Sequence, residues 1–297
     1  MEDCERDLDL GKRGLQAEPA GTAEAVTARE KFRQLHESGC FVIPNPWDAG
    51  TAMYLKHLGF AALATTSSGL SFSQGLPDTD WAVPMEMTLA NIRAIVQATD
   101  LPVNADFESG FAHDPEGVAA NVVRCAETGV AGLSVEDTTG DKEAPLYDLS
   151  LAVERIKAAR AALDPSVLLT ARTECYLTGH PEARKEALKR LTAFAEAGAD
   201  VLYAPGPRSR EDIKAIVAAV SPKPVNVLVS ANTGLRVGDL AEMGVRRISV
   251  GSALARTAWG AFIRAAKGIA EEGSFAGFDS AAPFAELNAF FRAKLPQ

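Results

Sequence analysis

The sequence has few cysteines, fewer basic than acidic residues and no long apolar run, and each shortage excludes a class of protein. Its four cysteines, Cys4, Cys40, Cys125 and Cys175, are scattered without metal-binding spacing, which favours reduced thiols in a cytoplasmic protein. The 30 Lys and Arg against 39 Asp and Glu leave a net charge of −9, and no basic stripe suits nucleic acid or an anionic membrane. No stretch of about 18 apolar residues is available to span a bilayer.

The first residues are acidic and polar, and they lack the apolar core of a signal peptide. We predict a flexible tail over residues 1–22 and a single folded domain over residues 23–297. A chain of 297 residues accommodates one barrel of about 250 residues with extensions at its ends.

Short apolar runs alternate with longer amphipathic stretches from residue 41 onward. The alternation predicts parallel βαβ units, and eight such units predict a (β/α)₈ TIM barrel of the α/β class. Glycine before several strands supports this division, because it ends a helix in left-handed backbone. The predicted strands are 41–44, 61–65, 102–105, 131–135, 167–171, 201–204, 224–227 and 247–250, and the predicted helices between and after them are 50–58, 84–98, 115–128, 149–163, 182–197, 210–220, 237–243 and 252–271.

The alternative to a barrel is an open, doubly wound sheet with a glycine-rich phosphate loop after its first strand. Residues 45–50 read Asn-Pro-Trp-Asp-Ala-Gly, which is not such a loop, so the barrel is favoured. An N-terminal helix over residues 25–38 and a C-terminal helix over residues 283–293 lie outside the eight units. The C-terminal helix is expected either to pack on its own barrel or to be exchanged with a neighbouring subunit.

Acidic residues close three consecutive predicted strands. In a TIM barrel these strand ends and the loops after them form the active site. Carboxylates that meet at one edge repel each other unless a cation lies between them, and oxygen-only ligands suit Mg²⁺ or Mn²⁺. Arg172, at the end of the fifth strand, adds a planar donor for an oxyanion. The acids are Asp106 and Glu108 on one side of the third strand, Glu136 and Asp137 after the fourth, and Glu174 after the fifth.

Two further segments are candidates for substrate contact. Hydroxyl and backbone N–H groups of residues 66–70, Thr-Ser-Ser-Gly-Leu, form a predicted turn suited to a carboxylate or phosphate. The loop over residues 74–81 contains Gly, Pro and two acids, and it is placed to close over a ligand. Evidence for a nucleophile is weaker, since no GxSxG elbow or Cys–His pair occurs. His113 follows the third strand and is a candidate to line the pocket.

In these motifs the chain resembles the isocitrate lyase/phosphoenolpyruvate mutase superfamily. The matching pieces occur in family order and the resemblance covers the chain from about residue 25 onward. Each piece is short, but together they are specific. They are Ser-Ser-Gly-Leu at 67–70, Gly-Leu-Pro-Asp at 75–78, Asn-Ala-Asp-Phe-Glu at 104–108, Val-Glu-Asp at 135–137 and Ala-Arg-Thr-Glu at 171–174.

The resemblance implies a Mg²⁺-dependent barrel enzyme that acts on 2-oxo or dicarboxylic acids through an enolate-like unit. It implies a homotetramer with an exchanged C-terminal helix. It also implies roles for matching residues, including a catalytic set of Asp78, Glu136 and Arg172. The implied metal ligands are Asp106 directly, with Glu108 and Glu136 direct or through water, and the implied substrate contacts are Ser68, Gly69, Leu70, Asp106 and Arg172.

Departures from the family pattern leave the reaction open. The lyase branch carries Lys-Lys-Cys-Gly-His after the fourth strand, whereas residues 137–145 here contain neither Cys nor His. They also lack the Asn of the phosphorus–carbon branches. The sequence favours a carbon–carbon lyase or decarboxylase. A phosphonopyruvate-type mutase or hydrolase, and a metal-dependent 2-oxo acid binder with little catalysis, are the alternatives. An unrelated Schiff-base aldolase predicts a strand-end lysine, and none is present in the eight strands.

Overall fold

Eight short parallel strands alternate with helices in the computed structural model, which describes residues 26–79, 81–207 and 209–294. The hydrogen-bonded order is β1-β8-β7-β6-β5-β4-β3-β2. The Ala64 N–H donates to the Pro44 carbonyl at 3.0 Å and thereby joins the two ends of the sheet. The predicted TIM barrel is confirmed. Its strands are β1 (Phe41–Ile43), β2 (Leu63–Ala64), β3 (Val103–Asp106), β4 (Gly132–Glu136), β5 (Leu168–Arg172), β6 (Val201–Tyr203), β7 (Val225–Leu228) and β8 (Arg247–Ser249).

The helices lie where the amphipathic spacing predicts them, with bounds that shift by one to three residues. One helix, α3, was predicted as a turn. The predicted tail over residues 1–22 lies outside the described residues. The helices are α1 (Ala28–Glu37), α2 (Ala49–His57), α3 (Ser67–Ser73), α4 (Met85–Gln97), α5 (Pro115–Ala126), α6 (Leu149–Ala162), α7 (Ala183–Glu196), α8 (Arg210–Val220), α9 (Val237–Glu242), α10 (Ala253–Glu272) and α11 (Phe284–Arg292), with a 3₁₀ turn at Ala276–Ser280.

Helix α3 forms because Thr66 caps it. The Thr66 hydroxyl accepts the Gly69 N–H at 3.2 Å, and the Thr66 carbonyl accepts the Leu70 N–H at 3.1 Å. Such a cap satisfies N–H groups that the first helical turn leaves free. A Cβ at Gly69 would lie 2.6 Å from the Thr66 methyl group, so only glycine fits there.

The C-terminal helix α11 packs on α2 of the same chain. The Phe290 ring lies 5.2 Å from the rings of both Tyr54 and His57. Large apolar side chains remain exposed on this side of the barrel, with Phe284 at 83% and Phe262 at 60% exposure. Exchange of α11 between subunits and the homotetramer stay predictions. Within the described residues, no helix is both long and apolar enough to cross a membrane.

Helix α1 closes the N-terminal end of the barrel. Phe32 is fully buried there against Ile43 and Leu168. His36, one turn further along α1, is 8% exposed and hydrogen-bonds through Nδ1 to the Phe32 carbonyl at 2.7 Å. Burial, reinforced by the charge of Arg247, lowers the pKa of His36 to about 3. The folded protein therefore holds His36 neutral at neutral pH.

This buried histidine predicts a loss of stability in mild acid. The unfolded chain takes up the proton near pH 6.5, but folded His36 does so only near its lowered pKa of about 3. The contribution of neutral His36 to the free energy of unfolding is therefore fully present above pH 6.5. Below that pH it falls by roughly 1.4 kcal/mol per pH unit. Urea unfolding measures how far the free energy of unfolding falls between pH 7.5 and pH 5.0. This decrease should be about 2 kcal/mol smaller in His36→Leu than in wild type. His57→Leu, at an exposed histidine of α2, should keep the wild-type loss, and equal losses in all three proteins would contradict this assignment.

Candidate active site

Three predicted residues meet at the C-terminal edge of the barrel. Asp106, Glu136 and Arg172 end β3, β4 and β5, and Glu136 is paired in register with Arg172. The Arg172 guanidinium lies 3.4 Å from Asp106 Oδ1 and 3.2 Å from Glu136 Oε2. It also pairs with Glu174 of the following loop. These four side chains are only 9–18% exposed, so their charges interact with little screening by solvent.

Asp106 is held in place by hydrogen bonds to the first turn of α3. The backbone N–H and hydroxyl of Ser67 both donate to Asp106 Oδ2 at 3.1 Å. The Asp106 N–H in turn donates to the Thr65 hydroxyl at 2.9 Å. These hydrogen bonds fix the carboxyl group of Asp106 in the wall of the cavity.

Glu108 lies near Asp106, but the strand does not extend to it. We expected the two acids to alternate along one strand, and this expectation was wrong because β3 ends at Asp106. Glu108 instead has left-handed backbone, with φ of 46°. Burial raises the pKa of Glu108 to about 8, and the charges of Asp106 and Asp78 add to the rise against the opposing effect of Arg172. The carboxyl is thus mostly protonated at neutral pH until another positive charge arrives.

The pKa of Glu136 is raised as well, for similar reasons. Burial raises the pKa of Glu136 well above its usual value, and the positive charge of Arg172 opposes the rise. Glu174 and Asp106 are among the negative charges that add to it. A cluster in which several carboxyls resist ionisation is typical of sites that bind a cation or transfer protons.

The loop after α3 brings Asp78 to the rim. The Ser68 hydroxyl donates a short hydrogen bond to Asp78, which ties the loop to the start of α3. Further along, the Trp81 Nε1–H donates to the Ser109 hydroxyl at 2.9 Å. The second half of the loop is thus held at two points, Asp78 and Trp81, beside the carboxylates.

Gly69 and Leu70 are placed differently from the other expected substrate contacts. Their N–H groups are bonded to Thr66 within the cap of α3, and Leu70 is 5% exposed. Gly69 faces Trp47 and Ala255 on an apolar surface. In this conformation neither residue lines the cavity beside Asp106, whereas Ser67 and Ser68 both do.

Two connected cavities share Ser67, Asp78 and Arg172 as walls. The outer one, of about 620 Å³, is also lined by Glu108, Glu136, His113, Trp81 and the 138–142 segment. The inner one, of about 250 Å³, runs down the barrel from Asp106. Pockets of this size are suited to small-molecule ligands. The outer cavity contains the metal ligands that the sequence predicts, with the exception of Asp106, which lies in the inner wall.

Two contributors, Tyr203 and Thr65, were not selected from the sequence, and Glu174 was named only as one of the strand-end acids, without a role of its own. Glu174 pairs with Arg172, and the Tyr203 ring lies 5.2 Å from the Arg172 guanidinium. Thr65 positions Asp106. Strand parity is the signal that identifies Tyr203, because alternate residues of a strand face the barrel interior.

Asp137, next to Glu136 in the acidic motif, points away from the cavity. It is 3% exposed, and it accepts hydrogen bonds from the Thr173 hydroxyl at 2.8 Å and the Glu174 N–H at 2.9 Å. Arg190 of α7 pairs with it at 3.1 Å. Asp137 therefore joins β4, β5 and α7 and supports the site from behind.

The carboxylates fit a hard divalent cation by their chemistry. Their donors are all oxygen, as Mg²⁺ and Mn²⁺ prefer. Burial, together with the negative charges of Asp106 and Asp78, raises the pKa of Glu108, and a cation would offset both effects. Among the described residues, no three His, Cys, Asp or Glu side chains already stand in a metal-binding group. Arg172 lies among the acids and is ion-paired with Asp106 and Glu136.

Comparison with known proteins agrees with the motifs. The family profile for Phosphoenolpyruvate phosphomutase matches residues 32–270. 2,3-Dimethylmalate lyase of Eubacterium barkeri is 34% identical over 199 residues, covering 63% of this chain and 66% of the lyase. A candidate lyase/mutase from Burkholderia cenocepacia J2315 has 45% identity and a TM-score of 0.84, covering 89% of this chain and 95% of that one.

A more distant structure is also similar. Phosphonopyruvate hydrolase in complex with oxalate and Mg²⁺ has 26% identity and a TM-score of 0.78, covering 90% of this chain and 97% of the hydrolase. The relatives thus comprise a lyase and a hydrolase on one barrel fold. The chain belongs to the phosphoenolpyruvate phosphomutase family, within the isocitrate lyase/phosphoenolpyruvate mutase superfamily of enzymes.

Proposed function

We propose that this protein is a Mg²⁺-dependent enzyme that breaks a carbon–carbon bond in a small 2-oxo acid, or in an acid that yields one. The observation that carries the proposal is the cluster of Asp106, Glu108 and Glu136 around Arg172 at the C-terminal edge of the barrel. The lyase relative and the oxalate-bound hydrolase relative support it. Oxalate has the shape and charge of a pyruvate enolate.

Asp106, Glu108 and Glu136 are the residues that would hold the metal. When bound, Mg²⁺ or Mn²⁺ supplies Lewis-acid stabilisation of negative charge that develops on the substrate oxygen. Arg172 has its guanidinium beside the same position, where it neutralises a substrate carboxylate. In our proposal Arg172 exchanges part of its pairing with Asp106 and Glu136 for that carboxylate.

Ser67 and Ser68 orient the acids that face the substrate. Ser67 fixes the position of the Asp106 carboxyl group through two donated hydrogen bonds, and Ser68 holds Asp78 at the rim. In our proposal Asp78 interacts with water near the metal ligands. Residues 74–79 exclude bulk solvent, which strengthens each charge interaction inside.

His113 is the side chain best placed to move a proton. It lines the outer cavity with Glu108, and its Nδ1 lies 2.6 Å from the Tyr147 hydroxyl. The segment after β4 lacks the lyase Cys and His, and it is folded back on itself by a bridge between Thr138 and Leu146. We infer that His113 and Tyr147 return the proton that carbon needs after bond cleavage.

A phosphonopyruvate-type hydrolase is the second candidate, favoured by the similarity to the hydrolase structure. The two functions have different products. Hydrolysis of phosphonopyruvate releases inorganic phosphate, whereas lyase or decarboxylase activity converts a 2-oxo or 2-hydroxy acid without phosphorus. A parallel screen for phosphate release and for loss of the 2-oxo acid separates them. The cytoplasmic location expected from the sequence stays part of this proposal.

The test of the proposed function is calorimetric titration of metal-stripped protein with oxalate, with and without Mg²⁺. We expect binding at least about 100-fold tighter with Mg²⁺, because chelation joins the ligand to the ion. Acetate, which cannot chelate in the same way, is the control ligand. Oxalate binding of equal strength without metal, or none at all, would remove the carboxylate cluster as the active site.

A further inference from the structure

The barrel interior below the carboxylates is polar. On each of strands β3, β4 and β5, the preceding inward-facing residue lies two positions before the residue at the cavity mouth. These preceding residues are Asn104, Ser134 and Thr170, which come before Asp106, Glu136 and Arg172. On the far wall this layer continues with Asn226 and Arg247. Branched apolar residues usually fill such a layer. A polar layer therefore needs an explanation beyond packing.

Arg247 has no negatively charged partner among residues 26–79, 81–207 and 209–294. Its side chain is 3% exposed, and it donates to Asn226 Oδ1 at 2.9 Å and to the Thr170 hydroxyl at 3.1 Å. Its Nη1 has no hydrogen-bond partner within the described residues, and no carboxylate pairs with the guanidinium there. A buried cation without a counter-charge costs several kcal/mol.

Burial lowers the pKa of Arg247 to about 10, so the group is still charged at neutral pH. Neighbouring His36 is neutral and supplies no negative charge. Tyr203, the other titratable group that acts on Arg247, has its pKa raised to about 12 and is likewise neutral. In the part of the chain that the structure describes, the positive charge of Arg247 is therefore uncompensated.

The same inner cavity of about 250 Å³ reaches both layers. Its wall includes Ser68, Asp106 and Arg172 at the mouth, and Arg247, Asn226 and Asn104 at depth. The Asn104 Oδ1 atom also has no hydrogen-bond partner among the residues that the structure describes. Two residues along a strand span about 6.6 Å, which is the approximate separation of the two layers.

We propose that Arg247 is a deep anion subsite that binds the second carboxylate of a 2-oxo dicarboxylate about five carbons long. This inference rests on the proposed function, which places the 2-oxo acid end at Asp106 and Arg172. An extended five-carbon diacid separates its carboxyl carbons by about 5 Å. This length is close to the separation of about 6.6 Å between the layers, and charge-assisted hydrogen bonds of about 2.8 Å join each carboxylate to side chains that line the cavity.

Ordered water at Arg247 is the competing explanation. Water would satisfy the free Nη1 hydrogen bond, but it would not neutralise the charge. A carboxylate does both, and its charge-assisted hydrogen bonds to the Arg247 guanidinium offset the free-energy cost of its desolvation. The two explanations differ in whether affinity depends on a second carboxylate.

The experiment compares two inert ligands in the presence of Mg²⁺. N-Oxalylglycine carries the chelating oxalyl end and a distal carboxylate at five-carbon spacing, and N-methyloxamate has the same oxalyl end without that carboxylate. We expect wild type to bind N-oxalylglycine about 10- to 100-fold more tightly, since charge-assisted hydrogen bonds contribute that much. Equal affinities in wild type would overturn the subsite without any variant being made.

Variants then locate the effect. In Arg247→Met the advantage of N-oxalylglycine should fall to within about twofold, while N-methyloxamate affinity stays near wild type. Arg247→Lys, which keeps a charge, should retain part of the advantage. Arg246→Met removes a neighbouring arginine whose contact is the Gly39 carbonyl at 2.8 Å, and it should leave both affinities unchanged.

The outcomes separate this proposal from the proposed function. If neither ligand binds with Mg²⁺, the function at the mouth is wrong, and the subsite falls with it. If both bind with equal affinity, the function stands and the deep subsite does not. An advantage that persists in Arg247→Met would assign the second carboxylate to another residue and would also reject the subsite.

Discussion

Replacement of Asp106 by Asn is expected to lower Mg²⁺-dependent turnover by about 1,000-fold. The variant keeps the size of the side chain but removes the carboxylate that accepts both Ser67 hydrogen bonds and lies 3.4 Å from the Arg172 guanidinium. Lewis-acid stabilisation contributes several kcal/mol to a transition state, and about 4 kcal/mol corresponds to this loss of rate. Steady-state kinetics on the 2-oxo acid found by screening measure the effect.

Metal binding in the same variant provides the second readout. Oxalate titration with Mg²⁺ should lose its metal-dependent component in Asp106→Asn, because a neutral amide is a poor ligand for Mg²⁺. Asp100→Asn is the matched control, since Asp100 is a 74% exposed acid paired with Lys56 on the surface. Asp106→Asn with full metal-dependent activity would show that the ion is not held at β3.

Much of the fold follows from local pattern. The bounds of the eight strands are predicted to within two residues because a strand buried on both faces is a short continuous apolar segment. Helix α3 is the exception. Its Ser-Ser-Gly sequence has low helix propensity, and it is stabilised by the Thr66 cap and by close packing on Trp47, which are visible only in three dimensions.

The grouping of Asp106, Glu136 and Arg172 was predictable because parallel strands of a barrel end at one face. Glu108 shows where this reasoning fails. Glu108 lies beyond the last residue of β3, so its side chain does not follow the alternation of a strand. Its left-handed backbone determines where the side chain points. Asp137 shows the opposite case, in which strict alternation after Glu136 turns an acid outward to Arg190.

The polar layer with Arg247 was not predicted. Residues 247–250, Arg-Ile-Ser-Val, were predicted as the eighth strand, and Arg247 was given no role. The stagger of a barrel instead places Arg247 beside Thr170 and Asn226, far from it in sequence. A single sequence does not show which strand residues share a layer, because that depends on the tilt of all eight strands.

The second large effect is expected at Arg155 of α6, where Arg155→Met should lower the free energy of unfolding by about 3–4 kcal/mol. Arg155 is 1% exposed and donates to the carbonyls of Ala112 at 2.5 Å and His113 at 2.6 Å, and also to that of Ser109. Methionine has similar length but leaves three carbonyls without these donors, and each unsatisfied group costs about 1–3 kcal/mol, less the relief of removing a buried charge.

The same contacts hold the loop that carries Glu108 and His113. Two residues of this loop that are not glycine, Glu108 and Phe111, have left-handed backbone with φ of 46° and 52°, a conformation that costs about 1 kcal/mol each. Arg155 stabilises this loop conformation because it donates to the carbonyls of Ser109, Ala112 and His113. Loss of Arg155 should therefore also reduce kcat/KM by about tenfold, as misplaced catalytic groups do.

Urea unfolding and kinetics on Arg155→Met test both effects, with Lys157→Met as the matched control on the same helix. Lys157 pairs with Glu154 at 2.9 Å, and both side chains are more than half exposed, so its loss should change stability by less than about 0.5 kcal/mol. A stable Arg155→Met with unchanged kinetics would mean that the loop holds its shape without the guanidinium. A destabilised variant with unchanged kinetics would confine Arg155 to folding and leave the position of Glu108 and His113 to Trp81 and Tyr147, their other partners beside the cavity.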